Sequence, residues 1–383
     1  MPGAVEILWG NSLSGCARLF VIVSVIAVGA CGDDDATTSD AAPVIDAVQT
    51  LNDADLSSGW KKIAELPERV ANNAVAAVQT ASGCMLMSAF GIDFTREHTG
   101  IHSRVFTHMV GSDSWEQQSD VPGDDGLLAA SAVSMRGKIY VLGGYSVAPN
   151  GAEASFADLN VFDPATEMWT TLAPMPVATD DAVAVAWRDR WIIVVSGWSD
   201  TAPIDNVQLY DADTNMWAPA TAFPGSAVFG HAGTIVGDEL MIIDGVRSAG
   251  IGGFADVNQT WHAQLDNNNP TQITWTDMGT HDAPVRYRAA AGTLGDLMLF
   301  HGGTDDPYNY DGLSYDSGTA SAPEATTLIY DTASDQFTTV ANSTKPTATM
   351  DHRGLVECGG ALYTIGGMTS GPTVTADVWR YRP

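Results

Sequence analysis

The sequence predicts an all-β fold: six repeated sheets closed into a ring by the N-terminal strand. Three observations carry this reading. First, the stretch from Gly137 to Pro176, GKIYVLGGY…LNVFDPATEMWTTLAPMP, recurs along the chain in imperfect copies. Second, the aromatics that end successive copies, Trp115, Trp169, Trp217, Trp275 and Phe337, stand 54, 48, 58 and 62 residues apart. Third, the two ends of the repeat region complete each other. GWKKIAELP (Gly59 to Pro67) reads as an outer strand with no sheet before it, and ADVWRYRP stops where an outer strand is due.

Each unit begins with an apolar run such as IYVL or WIIVV, as expected of strands covered on both faces. Paired glycines follow, as at Gly143-Gly144, where a Cβ would collide with the neighbouring sheet. A variable stretch, an aromatic-Asp pair (Tyr210-Asp211, for instance) and the terminal aromatic complete the unit. A period near fifty with these marks resembles the kelch family over about residues 60 to 383. The resemblance implies a six-bladed kelch-type β-propeller spanning 59–383. The inner strand pairs are expected near 75–90, 128–143, 181–196, 230–244, 287–302 and 351–366. The terminal Trp is expected to fill the wedge between blades at the rim. Gly59–Leu66 is expected to pair with Val374–Tyr381, which leaves no open sheet edge.

The residues before the repeats read differently. Arg18 precedes the apolar run Leu19–Val28, too short to span a membrane as a mature helix. The run ends in Val28-Gly29-Ala30-Cys31, which resembles a bacterial lipobox. Residues 1–30 are therefore expected to be a lipoprotein signal peptide and Cys31 the lipidated residue. Residues 31–58, acidic and small, are expected to be a flexible tether. The expected location is the bacterial cell envelope, lipid-anchored at the outer membrane or its periplasmic face. The lipid would be the sole contact with the membrane.

The formal net charge of −29 excludes nucleic acid as a partner, since phosphates demand a basic surface. It suits a soluble exported body, expected to be a monomer. After loss of the leader, with Cys16, the remaining pair is Cys84 and Cys358. They fall on neighbouring blades of a closed ring, at the same turn end. An exported compartment permits a disulfide between them; the alternative is two separate buried thiols.

A propeller places its fourth-to-first and second-to-third connections on one face, around the channel. The longest second-to-third loops are Thr304–Ala325, Gly91–Ser103, Tyr145–Ala157 and Val246–Val257. In the blade-five loop Tyr308, Tyr310 and Tyr315 alternate with Asp305, Asp306, Asp311 and Asp316. This mixture suits a sugar face or a cationic peptide, or it is a solvated loop with turn residues. Read as exposed, the three tyrosines are expected to be replaceable without loss of stability. At the starts of the first strands stand Asp180, Asp181, His231, Arg286, Arg288, Asp351, His352 and Arg353. They either meet a carboxylate-bearing ligand at the channel mouth or pair with one another.

Other chemistry is poorly supplied. His98 and His102 lack a third metal ligand, and no nucleophile elbow, phosphate loop or His-Glu-x-x-His occurs. Galactose oxidase shares the scaffold, but its Tyr–Cys cross-link has no Cys here on a suitable loop. No metal and no cofactor are expected. Two functions remain: a protein- or glycan-binding module, or an enzyme like the sialate mutarotases of bacterial envelopes. In the enzyme, Arg288 or Arg353 would hold the sugar carboxylate, and His231 or His352 would move protons.

Overall fold

A computed structural model describes residues 59–123, 126–250, 253–340 and 347–382. The leader 1–30, Cys31 and the tether 31–58 lie outside the described residues. Six four-stranded antiparallel sheets surround a central axis. Blade two is typical. Ser131–Met135, Lys138–Leu142, Leu159–Asp163 and Met168–Thr171 pair in chain order from the axis outward. Its second and third strands are almost wholly buried, while the outer strand, MWTT, is mostly exposed.

Blade six is completed from the other end of the sequence. Trp60–Lys62 pairs antiparallel with Val378–Tyr381, with Trp60 opposite Tyr381 and Lys62 opposite Trp379. The pairing runs on through Ile63 N–H to Val378 O (3.0 Å) and Leu66 N–H to Ala376 O (2.9 Å). Cys84 and Cys358 form a disulfide across the same seam, with Cα atoms 5.9 Å apart. That separation lies within the ordinary range for the bond.

In blades two to six the first strand begins two to five residues later than the sequence pattern predicts, at Ser131, Val183, Ala232, Ala290 and Val356. The residues before it have another task. Asn72, Ala129, Asp181, Gly230, Arg288 and Asp351, one per blade, all adopt positive φ between 50° and 66°. Hydrogen bonds pass from blade to blade through them. Asp181 N–H reaches Ala129 O, Gly230 N–H reaches Asp181 O (2.9 Å) and Arg288 N–H reaches Gly230 O (2.7 Å). His352 N–H reaches Arg288 O and Asn72 N–H reaches Asp351 O; between blades one and two the Asn72 side chain accepts from Ala129 N–H (2.8 Å). Left-handed geometry is costly for a residue with a Cβ, so the closed hydrogen-bonded circle must compensate it. At Gly230 any Cβ would strike the Tyr287 ring.

The paired glycines divide the labour. A Cβ on Gly143 would strike Thr179 O of the next blade, as predicted, while one on Gly144 would stand 2.9 Å from Leu128 O in its own blade. The rim aromatics are less buried than predicted. Trp115 is buried, but Trp60, Trp169, Trp217, Trp275 and Phe337 are half-buried. The indoles work as latches instead. Trp115 donates to Ala64 O, Trp169 to Ser119 O and Trp217 to Ala173 O (2.8–3.0 Å), each in the preceding blade's outer segment.

Candidate functional site

Short hairpins on the second-to-third connections crown one face: Tyr145–Val147 with Glu153–Ser155, Trp198–Ser199 with Ala202–Pro203, and Val246–Ser248 with Phe254–Asp256. Beneath them the residue preceding each left-handed position pairs with the residue after the glycines, as Leu128 with Tyr145 and Tyr287 with Thr304. These residues build an apolar cap over the axis that includes Tyr145, Phe229, Tyr287 and Tyr308.

Tyr308 is fully buried in that cap, 5.3 Å from the Tyr287 ring. This overturns its reading as an exposed, freely replaceable residue. The blade-five loop folds inward because Asp306 organises it, accepting from Ser314 Oγ (2.6 Å) and Ser321 Oγ (3.1 Å). Tyr310 and Tyr315 are half-buried, and Tyr315 packs on Phe254 at 4.5 Å. The three tyrosines therefore do not form one exposed patch.

Under Tyr308 lies a buried ionic knot. Arg288 donates to both Asp181 oxygens, with its closest contact 2.6 Å, and to Asp351 Oδ1 at 3.3 Å. Its guanidinium lies 4.8 Å from the Tyr287 ring and 5.3 Å from the Tyr308 ring. Arg353 pairs with Asp181 Oδ1 at 2.5 Å and donates to Asn72 Oδ1. Burial alone would raise the Asp181 carboxyl, but Arg288 and Arg353 hold it below its ordinary value. Burial leaves Asp351 raised. Of the two readings of this set, mutual pairing is the one the geometry displays.

The remaining predicted residues separate. Arg286 is not at the channel mouth. It is fully buried at the seam of blades four and five, donating to Pro284 O and Thr326 Oγ1, both at 2.8 Å, while its N–H meets Asp244 Oδ2. His231, with Nε2 3.0 Å from Val195 O, and His352, with Nε2 2.7 Å from Thr349 Oγ1, line a channel cavity of about 130 Å³ below the knot. Burial drops His231 to about 4. His102 is buried beside Glu68, 3.4 Å away, and burial drops it to about 4 also.

What stays open on the crowned face is a second pocket of about 130 Å³ with Asp181 and Arg288 on its lining. Trp198, Phe254 and Tyr315 wall it, and Glu153, Asp180 and Asn309 supply polar groups. Trp198 meets Phe254 edge-on at 5.9 Å. Asp180 is buried, accepts from Ser155 Oγ at 2.6 Å, and is fixed by paired backbone bonds to Trp198. Burial, then the Asp181 charge, raises its carboxyl well above the ordinary value; burial also raises Glu153, although that side chain stands at the exposed rim. A larger groove, about 580 Å³, runs between blades one and two on the opposite, turn side. It is lined by Thr80, Met109, Gln118 and Phe162 and gathers no comparable set of charged and aromatic groups.

Sequence reasoning missed Glu153, Trp198, Phe254 and Asn309. One signal was available: Tyr145 and Trp198 each directly follow the paired-glycine position, where the chain re-enters the crowned face.

Such an arrangement defines a six-bladed propeller, and the comparisons with known proteins agree with that fold. The Kelch motif family matches residues 126–176. Kelch domain-containing protein 3 of Bos taurus is 25% identical over 194 residues, covering 46% of this chain and 48% of the relative. Kelch-like protein terF of Aspergillus terreus is 25% identical over 70% of this chain and 56% of its own length. The chain thus spans about half the length of these curated relatives. Among solved structures, that of YjhT superposes with a TM-score of 0.66 at 15% identity, covering 82% of this chain and 95% of the other. The chain is a kelch-repeat β-propeller.

Proposed function

We propose that the chain is a binding propeller of the bacterial cell envelope, whose loop face seats a protein or glycan group in the pocket walled by Trp198, Phe254 and Tyr315. The observation that carries this is the pocket itself: it is the recess where aromatic faces and carboxylates converge on the long-loop side of a rigid ring. Export is supported by the Cys84–Cys358 disulfide, a bond that persists in oxidising compartments, and by the Val28-Gly29-Ala30-Cys31 ending. The body from residue 59 onward should bind defined glycans on an array or a defined partner recovered by pull-down. Trp198→Ala should abolish that capture at an unchanged fold, and capture untouched by it removes the site. Cys31→Ser should release the protein from membranes; a mutant that fractionates and is processed like the parent ends the anchoring reading.

A second reading is favoured by the paired raised carboxyls of Asp180 and Glu153, which suit acid–base work on a sugar. The acidic-sugar form of that reading needs a free guanidinium, and both Arg288 and Arg353 are engaged by Asp181. Exchange spectroscopy on sialic acid anomers decides it: catalysed exchange that Asp180→Asn abolishes would replace the binding reading.

A further inference from the structure

We infer that the loop-face pocket takes a primary ammonium group, presented on the alkyl stem of a lysine side chain of a protein partner. This rests on the loop-face reading above and names what that face recognises.

Charge comes first. Three carboxylates and one guanidinium line the pocket. Arg288 spends its charge inward, on Asp181 and Asp351. Among the described residues neither Asp180 nor Glu153 forms an ion pair, and Asp180 meets a single hydroxyl, Ser155 Oγ. The Asp180 carboxylate is buried and the nearby Arg288 is committed to Asp181, so an arriving ammonium supplies a counter-charge and gains charge-assisted hydrogen bonds. Burial raises both carboxyls above their ordinary values, and an ammonium beside them would favour the charged form of each.

The walls agree. Trp198, Phe254 and Tyr315 lean together, with ring centroids 5.9 and 4.5 Å apart, and offer aromatic surface around the recess. A cation held against such surface gains further attraction from the rings. Size narrows the ligand. The volume of about 130 Å³ lies below the roughly 300–1,000 Å³ of sites that enclose a whole small molecule. A recess of this size suits the end of an alkylammonium stem rather than a whole small molecule. The net charge of −29 would draw a basic partner toward the protein from a distance.

The test titrates the folded body with Nα-acetyl-lysine methylamide, its Nε-acetylated form and the norleucine analogue. The free ammonium should bind at least about tenfold more tightly than either neutral probe, in line with one charge-assisted hydrogen bond. Asp180→Asn and Glu153→Gln should each erase that preference. Glu153 sits at the exposed rim, so its variant keeps the test alive should Asp180→Asn fold poorly. Equal binding of charged and neutral probes, or none by any of them, overturns the inference. If Trp198→Ala abolishes partner capture while Asp180→Asn and acetylation of the partner's lysines leave it intact, the ammonium assignment alone falls. If Trp198→Ala leaves capture intact, the loop-face reading falls with it.

Discussion

The axis and the rim of this propeller solve the same problem with opposite materials. Both must fasten each blade to the next. At the rim the fastener is an aromatic latch, half-buried, with its indole N–H on a carbonyl of the preceding blade, as Trp169 on Ser119 and Trp217 on Ala173. At the axis it is a circle of left-handed residues whose side chains include two aspartates and an arginine tied together out of water. The rim repeats, so losing one latch leaves the others. The axis does not repeat: Ala129 and Gly230 occupy two positions of the same circle, and Asp181 alone serves both Arg288 and Arg353. Stability is therefore distributed outside and concentrated inside.

Deletion of residues 59–66 should have the largest effect. Blade six would lose its outer strand, Trp60 from its seam with blade five, and Ile63, Ala64 and Leu66 from its seam with blade one. Loss of the cooperative thermal transition, or a fall in Tm larger than any single substitution produces, is expected in calorimetry. An unchanged, monomeric melt would show that the ring does not need this strand.

Asp181→Ala comes next. It leaves Arg288 with Asp351 alone and Arg353 with Asn72 and a 4.0 Å contact to Asp351, and removal of one member of a buried pair typically costs about 3–5 kcal/mol. Denaturant titration should read that loss, and Asp181→Ala combined with Arg288→Met should recover part of it. The folded Asp181 lies below its unfolded value, so its contribution is in place above the ordinary carboxylate range and is lost as pH falls through the lowered value. The variant should accordingly lose part of the acid-induced destabilisation expected of the parent.

Replacing Cys84 and Cys358 with Ser should cost roughly 2–5 kcal/mol, the usual range for loss of a native disulfide. The same shift should follow reduction of the parent. The smallest effect belongs to the rim. Trp169→Phe keeps an aromatic on Phe162 and removes one hydrogen bond, so about 1 kcal/mol is expected. A rim loss as large as the Asp181 loss would erase the distinction between the two regions.

These regions also differ in how far the sequence discloses them. Blade number, the glycine turns and the closing strand are periodic, and a period can be read without coordinates. The axial residues were visible as charges before each first strand, but their partners were not, because Asp181 and Arg288 are 107 positions apart and meet only once the ring closes. Tyr308 was misread for a related reason. Tyr and Asp in alternation resemble any solvated loop, and only the cap formed by Tyr287 and Phe229 gives the ring an apolar place to enter. The pocket walls were hidden further still. Glu153, Trp198 and Phe254 come from three hairpins that share no motif and converge by geometry alone.

The bond between Cys84 and Cys358 spans 274 positions and turns most of the propeller into a covalent macrocycle. A protease that nicks the long blade-five connection converts that macrocycle to an open chain without setting any fragment free. Outside the loop lie Trp60–Lys62 and Val378–Tyr381, which are paired with each other. The seam at which the circle of blades is completed thus has two clasps of different chemistry, one sensitive to reductant and one to denaturant. Failure of either leaves the other to bring the blades back into register.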